Sequence, residues 1–388
     1  MNHIQIKQAS DCCGCGACVE KCPKQCIEFE YDKEGFKYPH IDEKNCIGCN
    51  QCYKVCPLQK ENKEIHDSKI PLCYIAYNKE KEILNKSSSG GIFWLLVQNV
   101  INREGVVYGA VADGFSVYHR RGTNIEECVR FRKSKYLQSD TKETYKEAQT
   151  DLKAGRTVLY SGTPCQIAGL YSFLGKTYDN LITCEVICHG VPSKVAFDKW
   201  LYELAIKHNG NKPVSVVWRD KSQGWGPNRI TYTFENGEQE TDISRNNLFQ
   251  HGFLNNLYLR PSCYECKFAK IPRIADISLA DAWGYKGELL KENDNLGLSL
   301  ILISTEKGNG IFKEIFGYLA CEKTTIDYIK TISRHAWAPP IYNGKRPLFF
   351  SKLGKTSFEK AVRRCLEPDI FEKMKIRLAM VIKKLIHD

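Results

Sequence analysis

From Pro71 onward, short apolar strand-like runs alternate with longer apolar helical ones, the order expected of an α/β domain. The stretch before it, Gln59 to Lys69 (QKENKEIHDSK), is polar and charged with no apolar period, and reads as a linker. Ser87 to Ile101 pairs a Ser/Gly cluster with a helical run containing Phe93-Trp94-Leu95-Leu96-Val97. Gly105 ends that run before a strand at Val106 to Val111. Two later segments repeat one pattern. Thr157 to Tyr160 is a strand, Ser161 to Cys165 a tight loop, and Gln166 to Leu174 a helix, with Pro164 suited to its first turn. Leu181 to Ile187 is again apolar, followed by the loop Cys188 to Ser193 and the helical Lys194 to Lys207. Each segment puts a cysteine just past the carboxyl end of a strand, where open α/β sheets bind ligands, which makes Cys165 and Cys188 candidate neighbours. Val214 to Trp218 and Ile230 to Phe234 read as strands, and Asn236-Gly237 as a hairpin turn. The last segment, Phe371 to Leu385, is a basic amphipathic helix. It suits docking on the protein's own core or, less commonly, peripheral contact with an anionic membrane.

The chain has 388 residues, enough for a small N-terminal module and a larger domain. It shows no apolar run of membrane-spanning length and no apolar region in Met1 to Ser10, so a cytoplasmic address is expected. In that reducing compartment 19 cysteines point to cluster ligation rather than disulfides. The formal charge of +11 overstates the basic character. Each [4Fe–4S] cluster with four thiolates carries about −2, so two or three remove roughly 4 to 6 units. The modest remainder gives no reason to expect a nucleic-acid partner.

The strongest chemical signal is C-x2-C-x2-C-x3-C-P, present twice: Cys12, Cys15, Cys18 and Cys22-Pro23, then Cys46, Cys49, Cys52 and Cys56-Pro57. Three thiolates on one tight loop cap three corners of an iron–sulfur cube, and the last cysteine of the other motif supplies the fourth. The expected groups are Cys12, Cys15, Cys18 with Cys56, and Cys46, Cys49, Cys52 with Cys22. Gly14, Gly16 and Gly48 let the backbone wrap close to the sulfurs. Zinc sites use paired C-x2-C knuckles instead of two proline-closed quartets. Cys13 and Cys26 fall outside the spacing and are read as spectators, and the isolated Cys73, Cys128, Cys184, Cys321 and Cys365 as small buried hydrophobes.

A second, dispersed constellation is Cys165, Cys188 and the pair Cys263 and Cys266 after Leu259-Arg260-Pro261-Ser262. The pair alone suits zinc, redox chemistry or plain burial. Joined to the strand-end cysteines it gives four thiolates, the set for a third [4Fe–4S] cluster. Ser87-Ser88-Ser89-Gly90-Gly91 at a helix start has the makings of an anion site, or of an ordinary cap, and no G-x-G-x-x-G accompanies it. Cys188 and His189 are adjacent, the residue types of a thiol nucleophile and its base, although sequence neighbours need not face each other.

Taken together, KSSSGGIF at Lys86 to Phe93, VVYGA at Val106 to Ala110, SKYLQSD at Ser134 to Asp140, SGTPCQIAGL at Ser161 to Leu170, ICHGVPS at Ile187 to Ser193 and ADISLADAWG at Ala275 to Gly284 resemble the coenzyme F420 hydrogenase/dehydrogenase β-subunit family over roughly residues 73 to 340. Cys184 and Ala280 depart from its pattern. The resemblance implies FAD and a [4Fe–4S] cluster held by Cys165, Cys188, Cys263 and Cys266. It implies that Ser89, Gly90 and Gly91 contact FAD phosphates. Ser134, Lys135, Tyr136, Gln138 and Ser139 would line the cofactor, and Thr163, Pro164 and Gln166 would lie near its ring. Coenzyme F420 is one hydride carrier it suggests, without fixing the substrate.

The expected architecture is an α+β ferredoxin-like dicluster module (1–60), a linker (61–72), an α/β mixed-sheet, flavin-binding oxidoreductase domain (73–345) and a basic C-terminal helical tail (346–388). The expected function is an oxidoreductase passing electrons between clusters and an FAD-linked hydride donor or acceptor, with Lys135 among the cations that would steady an anionic ring or substrate. The partner would be a redox protein or a small-molecule hydride carrier. The alternatives are an electron shuttle for a partner enzyme and a ferredoxin-dependent reductase in polysaccharide biosynthesis. Such a cluster content implies oxygen sensitivity and hence an anaerobic or microaerobic host.

Overall fold

The computed structural model describes residues 3–59 and 69–367. Most of the expected linker and the expected C-terminal helix Phe371 to Leu385 lie outside the described residues. The N-terminal module pairs β1 (Ile27–Tyr31) with β2 (Lys37–Ile41) and packs two short helices, Ala17–Lys21 and Gln51–Lys54, against each other. Its small core is built largely from cysteines, because the chain is too short to supply enough aliphatic residues.

The larger domain is organised on a mixed eight-stranded sheet. Its strands are β3 (Leu72–Asn78), β4 (Val106–Asp113), β5 (Ser116–Gly122), β6 (Val158–Gly162) and β7 (Leu181–Val186). A second sheet holds β8 (Pro213–Asp220), β9 (Arg229–Phe234) and β10 (Gln239–Ile243), and the main sheet is completed by β11 (Ile277–Asp281), β12 (Ser299–Ile303) and β13 (Leu319–Thr324). The order across the main sheet is β13-β3-β12-β11-β7-β6-β4-β5. Only the β11-β7-β6-β4 centre is parallel. Those strands read as continuous apolar runs because helices cover both faces. Helices Ile92–Ile101 and Glu306–Ile315 share one core with the strands, while Pro164–Leu174 and Thr144–Lys153 form the other.

Sequence pattern located most of these elements. Lys194–Lys207 is helical over the expected range, and Asn236-Gly237 turns β9 into β10 with Gly237 at φ +84°. The C-terminal boundary needs correction. Arg346–Leu353 and Phe358–Leu366 are not a basic tail: Phe349, Phe358, Ala361 and Val362 are buried in the core behind β8–β10. Lys360, Arg363 and Arg364 face outward, whereas Arg346 is buried and paired with Glu34, and counting charge without period hid the buried stripe.

Buried His119 on β5 joins the layers at the sheet edge. Its Nδ1 is 2.6 Å from Ser139 Oγ and its Nε2 is 2.8 Å from the Ser161 carbonyl oxygen. Burial lowers its pKa to about 4. The unfolded chain therefore takes up a proton near pH 6.5 that the folded chain refuses until about pH 4. We expect stability to fall by on the order of 3 kcal/mol as pH drops through that window. Anaerobic unfolding curves for the wild type and H119Q check this, since the variant should lose that part of the slope.

Candidate functional site

The cysteines of the two N-terminal motifs gather at two places in the module. Burial and the neighbouring Cys12, Cys56 and Cys52 push the Cys18 thiol well up, and Cys18 and Cys56 act in the same direction on Cys15. Cys12, Cys15, Cys18 and Cys56 are thus near neighbours, with Cys52 close to Cys18 as well. The other centre is a 20 Å³ cavity lined by Cys22, Cys46, Cys49 and Cys52, with Cys49 exposed. Cys26 also lines it, its sulfur 3.4 Å from that of Cys22. It is therefore a fifth thiol at that corner, not the bystander that spacing alone suggests.

The first loop is held by the larger domain. Arg260 Nε donates to the Cys12 carbonyl (2.8 Å), Gln138 Nε2 to those of Cys13 (2.9 Å) and Gly14 (3.2 Å), and Tyr145 Oη to that of Cys15 (2.8 Å). With its carbonyls turned outward, the loop can aim its N–H groups at sulfur, as Gly14 N does toward Cys12 Sγ (3.3 Å). The contact needs glycine at two points. A Cβ on Gly14 would lie 2.8 Å from Gln138 Nε2, and one on Gly16 2.3 Å from Thr141 Oγ1; both have positive φ, +69° and +85°.

Parallel pairing of β6 and β7, register Gly162 to Glu185, brings the two strand-end loops side by side. Cys165 and Cys188 thus face one 220 Å³ cavity together with Cys263 and Cys266. Val191 N, two residues beyond His189, reaches Cys263 Sγ at 3.4 Å. Burial and the other three sulfurs raise the Cys188 thiol well above its ordinary range. Cys13 lines the same cavity and lies between Cys15 and Cys165, both of which act on its thiol as hydrogen-bonding neighbours. The spacing rule sets it aside, and only the tertiary approach of the two loops reveals it. Among the described residues no three Cys, His, Asp or Glu side chains close in tightly enough to hold a single metal ion.

The His189 ring packs against Phe253 and His335. Its Nε2 is 3.2 Å from the Phe253 carbonyl oxygen, and its ring centroid is 4.4 Å from that of His335. Behind the cavity, buried Arg273 donates from Nε to Glu185 Oε1 (2.5 Å) and from Nη1 to the Ala336 carbonyl (3.2 Å).

The residues expected to line a flavin divide. Ser134, Lys135 and Tyr136 line a 370 Å³ cleft with Lys86, Arg130, Arg132, Lys133 and Trp218. Its cations and rings, among them Tyr136 with its centroid 5.1 Å from that of Trp218, suit an aromatic anion. Lys135 cannot serve as expected: its ammonium donates to the carbonyls of Arg130, Phe131 and Arg132 (3.1, 3.0 and 2.7 Å). Gln138 clamps the cluster loop, and Ser139 binds His119. Thr163 and Gln166 cap the helix Pro164–Leu174, with Thr163 N donating to Gln166 Oε1 (3.0 Å), while Pro164 lines the four-cysteine cavity.

The phosphate contacts expected of Ser89, Gly90 and Gly91 meet groups already engaged. Ser89 Oγ donates to the Leu298 carbonyl (2.6 Å), and Gly90 N donates to Ser299 Oγ (3.0 Å). A Cβ on Gly90 would lie 2.5 Å from the Ala76 carbonyl oxygen, so this glycine seats the loop on β3, and Gly91, at φ +79°, caps the helix Ile92–Ile101.

Among the described residues no helix is long and apolar enough to cross a membrane. No curated protein matches the chain. Among solved structures, a chain of the F420-reducing [NiFe] hydrogenase complex from Methanosarcina barkeri is similar at 19% identity and a TM-score of 0.48, over 69% of this chain and 89% of that one. Residues 11–60 match the family described as 4Fe-4S dicluster domain, and residues 155–327 match the family described as the C terminus of the coenzyme F420 hydrogenase/dehydrogenase beta subunit. The chain is an iron–sulfur, oxidoreductase-like protein in which a segment similar to 4Fe-4S dicluster domains precedes one similar to the C terminus of coenzyme F420 hydrogenase/dehydrogenase beta subunits.

Proposed function

We propose that the protein is a cytoplasmic iron–sulfur flavoprotein that passes electrons between its N-terminal clusters and a small-molecule hydride donor or acceptor, coenzyme F420 or another. The observation that carries this is the convergence of Cys165, Cys188, Cys263 and Cys266 on one cavity that Cys13 links to the first ferredoxin loop. Two quartets without that third set would serve an electron shuttle equally well.

Cys12, Cys15, Cys18 and Cys56 hold the first cluster in this reading, Cys22, Cys46, Cys49 and Cys52 the second, and Cys165, Cys188, Cys263 and Cys266 a third. With Cys49 exposed, the second cluster would exchange electrons with an external redox partner. The cleft at Lys86, Arg130, Lys133, Tyr136 and Trp218 would hold FAD, its cations suited to phosphates and its rings to a flavin. Bound flavin would convert between a hydride's electron pair and the single electrons that clusters carry.

The test is the iron, acid-labile sulfide and flavin content of anaerobically purified protein, followed by EPR of the reduced chain. About twelve irons with one FAD per chain support the proposal. About eight irons and no flavin overturn it in favour of the shuttle. With flavin present, dithionite-driven reduction of F420 compared with that of nucleotide sugars separates a hydride-carrier reaction from a role in polysaccharide assembly.

A further inference from the structure

Arg260 is fully buried, and its guanidinium cannot discharge itself by losing a proton. Such a group ordinarily requires an anion beside it. Among the described residues no carboxylate lies within ion-pair distance of it; its polar partners are the carbonyls of Cys12 (2.8 Å) and Lys37 (2.7 Å) and Gln138 Oε1 (3.2 Å). Tyr38 covers the guanidinium with its ring centroid at 4.5 Å. The guanidinium thus sits on the first ferredoxin loop, its Nη1 3.0 Å from where a Cβ on Gly14 would lie, and three residues on the chain supplies Cys263 of the four-cysteine cavity. Arg260 is fixed there from both sides, its own N donating to the Val191 carbonyl (2.8 Å) and Cys263 N donating to its carbonyl (2.9 Å).

We propose that Arg260 is the shared counter-charge of the first ferredoxin cluster and the third cluster, a positioning residue that raises the reduction potentials of both and seats one centre against the other. The assignment rests on the third cluster of the proposed function. Each cluster gains a negative charge when reduced, so a fixed cation beside it favours the reduced form. The second ferredoxin cluster, on the far corner of the module, should not sense it.

The experiment is an EPR-monitored potentiometric titration of the full-length holoprotein in R260M, R260Q and R260K. R260M and R260Q should lower the reduced-to-oxidised ratio of the first and third clusters about tenfold at a given potential, a shift of about 59 mV for a one-electron couple. The second cluster should stay in place, and R260K should restore most of the loss. A purely packing role would weaken cluster retention without this selective shift and its rescue by lysine. If R260M fails to retain twelve irons, R260Q, which can still bond the Cys12 carbonyl, decides the matter. Unshifted potentials in a neutral variant holding twelve irons would overturn the role of Arg260 alone. A wild type with about eight irons would remove the third cluster, and the shared role with it.

Discussion

Replacing Cys188 with alanine is expected to remove about four of about twelve irons and to leave both N-terminal clusters reducible by dithionite. Cys188 lies just past β7, between the sulfurs of Cys165 on the adjoining loop and Cys263 behind it. No spare thiol comes from its own loop, since Cys188 to Ser193 holds no second cysteine. Loss of a residue that merely orients a ligand commonly costs about 10–100-fold in metal affinity or activity, so loss of the ligand should meet or exceed the upper figure. The predicted signature is a separation of two activities. Artificial acceptors that accept electrons from the N-terminal clusters should still be reduced, while turnover that needs the flavin falls by about 100-fold or more. Iron analysis and the two assays on one preparation check it; full iron content in C188A would mean that Cys188 is not a ligand.

Removing Arg273 should be the most damaging single change outside the cysteines. Arg273 and Glu185 are both essentially inaccessible to solvent, and the Nε to Oε1 contact is 2.5 Å. R273M would leave the Glu185 carboxylate in the sheet interior with only the Ser278 hydroxyl, 2.8 Å away, to bond it. Breaking one half of such a pair costs about 3–5 kcal/mol. That is a large share of the 5–15 kcal/mol by which a domain is typically stable. Glu185 stands three residues before Cys188, so the same change should loosen the third cysteine set. The double variant E185Q/R273M, which strands neither charge, should recover part of the loss. Anaerobic urea unfolding of the two variants measures this, and equal instability in both would show that packing rather than charge matters there.

The readings that came through unchanged rest on local periodicity or covalent spacing. The helix Lys194–Lys207 and the β9–β10 turn depend on residues only a few positions apart, so sequence determines them nearly alone. The strand-end placement of Cys165 and Cys188 was legible for a related reason. A strand, a tight loop and a helix in succession put the loop at the carboxyl edge of a parallel sheet.

The corrections share a different cause. Cys13 and Cys26 fail the spacing rule, yet each lies against a cysteine cavity because a sulfur's neighbours are set by how loops meet. Ser89, Gly90, Gln138 and Lys135 are polar residues whose partners could not be read from sequence; in the fold they bond Leu298, Ser299, the cluster loop and a run of carbonyls. Arg260 next to the Cys263 pair was visible, but its role was not, since its partners Cys12, Lys37 and Gln138 are more than one hundred residues away along the chain. The sequence by itself determined the two iron–sulfur loops, the α/β alternation and the cysteines that could join a third site, because ligand spacing and hydrophobic period are short-range properties. The tertiary structure alone decided which thiols share a cavity, which cations face the open cleft and which buried cation meets the first cysteine loop, because burial and hydrogen-bond partners arise only when distant segments pack together.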